Sequence, residues 1–212
     1  MQFTAYILVA VAAYFLGSIP TGFLVAQAKG IDIRTVGSKN MGATNVFRTL
    51  GKGPGILVLL VDGLKGFAAA AWLCDLLLQY FTVPNDQVLT VHVIAGIFAV
   101  LGHNYTCWLW FKGGKGIATT AGVYFALAPL SVSIAIGVWI ILFVTTRYVS
   151  VASIAAAVAL PTAVWITKDS MLLGIVTTVL CAMAIFKHKA NIQRLIAGTE
   201  NRIQFKKEKS AA

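Results

Sequence analysis

Long apolar runs separated by short polar segments are the main feature of this sequence. A helix needs about 20 mostly apolar residues to cross a membrane. The pattern predicts seven spans, one or more of them short, at about 3–28, 55–81, 88–105, 117–128, 130–145, 151–166 and 171–186. Pro129 separates the fourth span from the fifth, because proline cannot continue a helical hydrogen-bond ladder. The fold class predicted is therefore an all-α, polytopic integral membrane protein.

The composition agrees with this prediction. Of 212 residues, 58% are hydrophobic and only 11% are charged, whereas a soluble domain carries about 25% charged residues. This excludes an ordinary soluble domain, a disordered chain and a disulfide scaffold. The three cysteines are isolated and show no CxxC spacing, so neither a zinc site nor a disulfide framework is indicated. We expect one membrane domain over residues 1–212.

The basic residues predict how the chain lies in the membrane. With the N-terminus outside, fifteen Lys and Arg residues fall on the inner side and only Lys168 falls on the outer side. Such an imbalance is typical of cytoplasmic segments. It requires an odd number of spans, so five would also satisfy it, and it predicts a basic cytoplasmic tail at about 187–212. The net charge of +10 then reflects orientation and an anionic substrate rather than nucleic acid.

Residues 36–48 form the first polar cluster on the predicted inner side. Its hydroxyl and amide groups can hydrogen-bond a polyol or a phosphate, and Arg48 can bind a phosphate through two N–H groups. The alternative is a polar connecting loop. The candidate ligand-binding residues here are Ser38, Asn40, Gly42, Thr44, Asn45 and Arg48.

Residues 111–120 form the second cluster, in which glycines and lysines precede a helix start. Helix N-termini offer free N–H groups and a positive dipole end to an anion. The nucleotide-binding pattern GxxxxGK[ST] is absent, since Gly116 stands where Ser or Thr is required. The alternative is a flexible basic turn. The candidates are Lys112, Gly113, Gly114, Lys115 and Gly116, with His103 just before them.

Two further groups of polar residues are open to more than one interpretation. His188, Asn191 and Arg194 share roughly one helical face, and this segment could bind a ligand, lie on anionic lipid headgroups, or do both. Asp62 and Lys65, three residues apart within the second span, are interpreted as a structural salt bridge.

Several kinds of catalytic site are missing from the sequence. There is no GxSxG elbow, no His followed by Asp five positions later, and no cluster of His, Asp and Glu with metal-ligand spacing. No metal or cofactor is therefore expected. The candidate site is rich in anion-binding groups and poor in general bases and nucleophiles.

Several motifs in order resemble those of a known family. They are GSIPTG at 17–22, GSKNMGATNVFR at 37–48, DGLKG at 62–66, GHNY at 102–105, FKGGKGIAT at 111–119, RYVSVAS at 147–153 and NIQRL at 191–195 with Gly198 and Glu200. Over about residues 6–200 the chain is similar to the acyl-phosphate-dependent glycerol-3-phosphate acyltransferases, the PlsY family. Lys39 and Thr106 depart from the family pattern, which commonly has glycine and proline there, but neither departure removes a proposed ligand.

The resemblance implies a seven-helix enzyme of the bacterial inner membrane with its active site facing the cytoplasm. It implies transfer of a fatty acyl group from acyl phosphate to the 1-hydroxyl of glycerol 3-phosphate, giving lysophosphatidic acid and phosphate. It also implies a partner enzyme, PlsX, that supplies the acyl phosphate and is a candidate partner at the membrane surface.

By position, the resemblance assigns two sets of site residues. The catalytic set is Ser38, Arg48, Lys115, His188 and Asn191, and the substrate-binding set is Asn40, Gly42, Thr44, Asn45, His103, Lys112, Gly113, Gly114, Gly116, Ser150, Ser153 and Arg194. Because bases are scarce, we expect direct attack by the acceptor hydroxyl without an acyl-enzyme, the substrate phosphate taking up the proton. A role for His188 as base ranks lower. The competing function is a small anion transporter or channel. The placement of most cations on one side of the membrane argues against it.

Overall fold

The computed structural model describes residues 2–167 and 170–203, and within those residues it contains helices and loops but no β-strand. Lys168 and the lysines at 206, 207 and 209, which contribute to the predicted charge asymmetry, lie outside the described residues, as does the tail beyond 203. The helices are α1 (Gln2–Ser18), α2 (Thr21–Gln27), α3 (Ala43–Leu50), α4 (Lys52–Ala68), α5 (Cys74–Leu78), α6 (Val88–Asn104), α7 (Ile117–Leu127), α8 (Pro129–Thr146), α9 (Val149–Thr167), α10 (Met171–Lys187) and α11 (Lys189–Ile196).

The helices fall where the apolar runs predicted them. Five stretches are long and apolar enough to cross a membrane: Phe3–Gln27, Lys52–Leu78, Asn85–Leu109, Pro129–Thr146 and Val149–Thr167. Helices α10 and α11 are bent by 54° at the break between them and count as a sixth candidate only when the pair is taken as one span. Helix α7 has only 11 residues, or about 16 Å at 1.5 Å per residue, against a hydrocarbon core of about 30 Å. The protein is thus an all-helical membrane protein, and the count of seven crossings stays a prediction.

Proline shapes two of these spans. Pro129 is the first residue of α8, where its missing N–H costs no helical hydrogen bond. The break predicted between the fourth and fifth spans is therefore confirmed. The first span is also interrupted, at Ile19 and Pro20 between α1 and α2. A single π-helical turn, Ala69–Leu73, joins α4 to α5.

Small residues allow the central helices to approach closely. Helix α1 packs along α6, α4 along α7, and α8 along α9. A Cβ atom added at Gly17 would lie 2.1 Å from the carbonyl oxygen of Ala99, and one at Gly122 would lie 1.8 Å from that of Gly63. Close backbone contact of this kind is how helices associate in lipid, where apolar side chains gain little by leaving the solvent.

The polar segments that follow α2, α6, α8 and α10 meet at one end of the bundle. Residues after α11 run back across this end: the Ile203 N–H donates to the Arg147 carbonyl (3.0 Å), and Arg48 at the end of α3 donates to the Asn201 carbonyl (2.8 Å). We call residues 200–203 the C-terminal strap. This arrangement brings parts of the chain more than 100 residues apart into one polar cluster.

Candidate active site

Lys115, Asn191 and Glu200 form the centre of the polar cluster. The Lys115 ammonium donates to the side-chain oxygen of Asn191. The Asn191 amide in turn donates to Glu200 Oε1 at 2.9 Å. Lys115 lies just before α7 and Asn191 lies in α11, so this chain of contacts joins the predicted second and third clusters through side chains.

Glu200 holds this centre together and is absent from the predicted site. Its Oε1 also accepts from the Ser150 hydroxyl (3.1 Å) at the start of α9, and its Oε2 accepts from Arg194 Nε (2.7 Å). Burial opposes ionisation of this carboxyl, but the hydrogen bonds from Asn191, Arg194 and Ser150 hold its pKa below its usual value. Among the described residues, the cluster therefore contains one carboxylate, and it orients the side chains around it.

Arg48 reaches the cluster from α3. Its Nη2 donates to the carbonyl of Asn201 in the C-terminal strap, next to Glu200. Its Nε is buried and has no hydrogen-bond partner among the described residues. A guanidinium with a free donor is suited to bind an anionic oxygen.

Lys115 is a cation in a partly buried, mainly cationic setting. Burial lowers the pKa of its ammonium to about 8, Glu200 raises it, and the positive charges of Arg194 and Arg48 lower it further. Hydrogen bonds from Asn191 and Arg194 to Glu200, and from Arg48 to the neighbouring Asn201, bring these cations together. An anion bound between them would relieve their mutual repulsion.

Two backbone N–H groups of the glycine loop at 113–116 are already hydrogen-bonded to the protein. The N–H of Gly113 donates to the Asn104 carbonyl (3.2 Å) and that of Gly114 donates to the His103 carbonyl (3.0 Å). Lys187 also donates to the Asn104 carbonyl (3.2 Å). The donors open to a ligand are therefore those of the first turn of α7, which have no partner within the helix. Gly116 adopts φ +82°, which favours glycine, at the start of that helix.

The loop at 36–42 is organised by Asn45. The Asn45 amide donates to the carbonyls of Ile33, Val36 and Asn40 at 2.9–3.1 Å, and its oxygen accepts from the Ser38 N–H at 2.9 Å. The side chain is only 2% exposed. In this structure Asn45 therefore shapes the loop, although a contact with a ligand was the sequence-based expectation.

The other predicted residues lie at differing distances from the centre. His188 is buried at the bend between α10 and α11, and its Nδ1 donates to the Ala184 carbonyl (2.8 Å) because a carbonyl can only accept. The Ser153 hydroxyl accepts from Trp139 Nε1 (3.2 Å). Ser38 and Lys112 are exposed, Thr44 is partly buried, and Asn40 accepts from the Gly42 N–H (2.9 Å) within its own loop.

Two residues that contact the site or its loop are absent from the sequence-based prediction: Glu200, and Lys187, which shares the Asn104 carbonyl with the Gly113 N–H. Glu200 is the only acidic residue between positions 187 and 203, a stretch rich in Lys and Arg. A lone carboxylate among cations is a signal that could have indicated a charge-organising role. Lys187 gave no such signal, because it resembles any other basic residue at a membrane boundary.

Comparison with known proteins decides the class of this site. The sequence profile described as glycerol-3-phosphate acyltransferase matches residues 7–198, which is most of the chain. This chain belongs to that acyltransferase family. It is 46% identical over 198 residues to the glycerol-3-phosphate acyltransferase of Geotalea daltonii, covering 93% of this chain and 97% of that one. It is 47% identical over 192 residues to that of Geobacter sulfurreducens, covering 91% and 94%.

Solved structures of the family agree with the fold. A crystal structure of PlsY, an integral membrane glycerol 3-phosphate acyltransferase in its glycerol 3-phosphate form, superposes with a TM-score of 0.85 at 38% identity, covering 94% of this chain and 96% of that one. The lysophosphatidic acid form of PlsY gives a TM-score of 0.82 at 37% identity, covering 94% and 95%. The resemblance seen in the sequence is confirmed, and the protein is an acyltransferase of the membrane rather than a transporter.

Proposed function

We propose that this protein transfers a fatty acyl group from acyl phosphate to the 1-hydroxyl of glycerol 3-phosphate, giving lysophosphatidic acid and inorganic phosphate. The observation that carries the proposal is the meeting of Arg48, Lys115 and Arg194 beside the N-terminus of α7. Both substrates carry a phosphate, and a site with several cations and free backbone N–H groups suits two such anions. The acceptor follows from the family to which the chain belongs.

The donor is inferred from what the cluster contains. Acyl phosphate is a mixed anhydride with a good leaving group, so it needs positioning and charge stabilisation more than covalent help. The described residues around Lys115 offer cations, amides and hydroxyls, and their one carboxylate, Glu200, is engaged by Asn191, Arg194 and Ser150. Donors with a poorer leaving group would require stronger activation than these groups supply.

We infer a division of roles from the contacts described above. The first turn of α7 and Lys115 bind the phosphate of the donor. Arg48 and Arg194 bind the phosphate of glycerol 3-phosphate, and the exposed Ser38 hydroxyl, in the loop before α3, orients the acceptor. Asn191 holds Lys115, and Glu200 holds Asn191 and Arg194, so that these cations stay in place before a substrate arrives.

The reaction then needs one bond made and one broken at the acyl carbon. The 1-hydroxyl oxygen attacks the acyl carbonyl, and a tetrahedral intermediate forms with a negative charge on its oxygen. Lys115 and nearby N–H groups stabilise that charge. The bond to phosphate breaks, phosphate leaves with the electron pair, and a substrate phosphate takes up the hydroxyl proton. His188 is the second candidate for that proton, through the ring nitrogen not bonded to Ala184.

The surroundings proposed for the reaction follow from the charge asymmetry. The site faces the cytoplasm of a bacterial inner membrane, with the N-terminus outside and the C-terminus inside, since the polar end carries most of the Lys and Arg residues. Acyl phosphate is amphipathic and reaches the site from the bilayer. An acyl-phosphate-forming enzyme of the PlsX type supplies it at the membrane surface.

A donor assay tests this function. Purified protein is mixed with glycerol 3-phosphate and palmitoyl phosphate, palmitoyl-CoA or palmitoyl-acyl carrier protein, and lysophosphatidic acid and phosphate are measured. The proposal expects product with palmitoyl phosphate only, with phosphate and lysophosphatidic acid in equal amounts. Equal or faster transfer from the thioesters would overturn the choice of donor.

A further inference from the structure

A second buried polar cluster lies inside the bundle, beneath the glycine loop. Asp62 Oδ1 lies 2.8 Å from Lys65 Nζ and accepts from the Thr21 hydroxyl at 3.0 Å. Lys65 also donates to the Ile19 carbonyl (2.8 Å), which lies at the break of the first span and also accepts from the Thr21 N–H (3.0 Å). Asp62 and Lys65 are 2% and 4% exposed. The predicted salt bridge is therefore confirmed, and it ties α4 to the break between α1 and α2.

His103 connects this cluster to the glycine loop. Its Nδ1 lies 3.6 Å from Asp62 Oδ1 and has no hydrogen-bond partner among the described residues. At the other side of the ring, Nε2 lies directly below Gly114, where an added Cβ atom would be only 2.1 Å from it. The His103 carbonyl accepts the Gly114 N–H. Gly114, the residue before Lys115, therefore packs against the His103 ring and donates to the His103 carbonyl.

Stability alone does not require this arrangement. Taking two charges out of water is costly, and apolar residues of similar size can replace a buried ion pair with little loss of stability. A salt bridge that only joined α2 to α4 would not need to lie against the imidazole of His103 in α6. The geometry therefore suggests a use for the Asp62 carboxylate besides its pairing with Lys65.

We propose that Asp62 is a positioning residue for the acyl transfer: it orients the His103 ring, and the ring sets the position of Gly114 and Lys115. The proposal deepens the function proposed above and rests on it, since it takes the loop to hold a substrate phosphate. Asp62 touches no substrate and acts only through His103. A small rotation of the ring would shift the backbone above it, and misplacement of a binding group by about 1 Å costs up to about 100-fold in rate.

The first test compares Asp62→Asn with Gly114→Ala in full-length protein purified in detergent. Asparagine keeps the size of aspartate and an acceptor for Lys65 and Thr21, but it removes the charge that faces His103. We expect Asp62→Asn to raise the KM for one phosphate substrate about tenfold. The substrate affected should be the same one whose KM rises in Gly114→Ala, because that variant displaces the loop directly. An unchanged KM for that substrate would overturn the proposal.

A charge-balanced variant separates positioning from stability. Asp62→Asn alone leaves Lys65 buried without its partner and could fail to fold, so Asp62→Asn combined with Lys65→Met is made as well. Thermal unfolding shows whether this double variant is as stable as the wild type. We expect it to keep the raised KM while regaining stability. Return of the KM to the wild-type value together with stability would show that the cluster is only structural.

A mutant cycle with His103→Gln tests whether Asp62 acts through the ring. If it does, adding Asp62→Asn to His103→Gln changes the KM by less than about twofold, since interacting sites are not additive. Multiplicative effects would overturn the proposal. The matched control is Asp75→Asn, which removes a carboxylate 3.8 Å from His92 near the other end of α6 and should leave both KM values unchanged.

These results remain distinguishable from failure of the proposed function. All comparisons are made between variants and wild type with the acyl donor that the wild type uses. A wild type that prefers a donor other than acyl phosphate would contradict the proposed donor, whereas the ratios of KM values would still decide the role of Asp62.

Discussion

At the scale of single residues, the proposed site contains cations that hydrogen bonds already hold in place. Lys115 contacts Asn191, Arg194 contacts Glu200, and Arg48 contacts the backbone of the C-terminal strap. Each contact fixes a flexible side chain, so less conformational entropy is lost when a phosphate arrives. The same preorganisation lets the charges act on the transition state without rearrangement.

The pH dependence of the reaction should report the charge of Lys115. Because its pKa is lowered to about 8, the ammonium is mostly charged at pH 7 and loses its proton as the pH rises through 8. We expect kcat/KM to fall on the alkaline side with a midpoint near pH 8. In Lys115→Arg, whose guanidinium stays charged, the residual activity should not show this fall. Lys52→Arg, at an exposed lysine outside the cluster, is the control, and identical alkaline profiles in all three proteins would contradict the assignment.

Loss of Arg48 should remove activity while leaving the protein folded. Its guanidinium has a buried donor without a partner among the described residues, so we propose that its role is toward the substrate. Arg48→Ala is expected to lower kcat/KM by about 100-fold or more, with a thermal unfolding temperature near that of the wild type. Arg34→Ala, which breaks a partly exposed pair with Asp32, serves as the matched control and should retain activity. Full activity of Arg48→Ala would remove this residue from the site.

At the scale of elements, loops and helix ends build the site on a frame of helices. Helix α3 carries both Asn45, which organises the loop before it, and Arg48, which reaches the C-terminal strap. Helix α7 presents its N-terminus beside Lys115, and the bend at His188 turns α11 back over the cluster. Each functional group therefore sits at the junction of a loop and a helix.

Substitution of Asn45 should act on the loop first. Asn45→Ala leaves three backbone carbonyls without their donor, and each unsatisfied buried group costs about 1–3 kcal/mol. We expect a lower free energy of unfolding and faster proteolysis between α2 and α3. Thermal unfolding and limited proteolysis check this result. A variant as stable as the wild type with only a raised KM would instead indicate direct contact between Asn45 and a substrate.

The sequence predicted the helices well because apolar runs and Pro129 are local signals. It also indicated the segments that carry Lys115 and Asn191, since glycines and cations before a helix are a recognisable pattern. It could not distinguish amide groups that bind a ligand from those that bind the loop itself. For Asn45, Gly113 and Gly114 that distinction depends on how the backbone turns. The role of Glu200 could not be predicted either, because Glu200 meets Ser150, 50 residues earlier in the chain, only when the C-terminal strap folds back.

At the scale of the whole molecule, the polar groups gather at one end and apolar side chains cover the flanks. Large apolar residues such as Leu60, Ile141 and Ile166 are 63–78% exposed, which suits contact with lipid tails rather than water. The arrangement suits the proposed reaction, because its acyl donor is amphipathic and glycerol 3-phosphate is water-soluble. A site at the membrane boundary can receive the first from the bilayer and the second from the aqueous side.

The orientation proposed for the chain can be measured by cysteine labelling. The native cysteines are replaced, and single cysteines are introduced at Lys39, in the loop before α3, and at Tyr80, after α5; both positions are exposed. In intact cells a membrane-impermeant maleimide should label position 80 and reach position 39 only after the membrane is opened. The reverse pattern would contradict the proposed direction of the spans.

The central claim is that the acyl group passes directly between two substrates held by this cluster. Its most direct test is the intact mass of the protein after incubation with palmitoyl phosphate alone and then with glycerol 3-phosphate. We expect no acylated protein at any time, with lysophosphatidic acid and phosphate both appearing only after the acceptor is added. An acylated protein that forms without the acceptor and disappears as lysophosphatidic acid is made would contradict it.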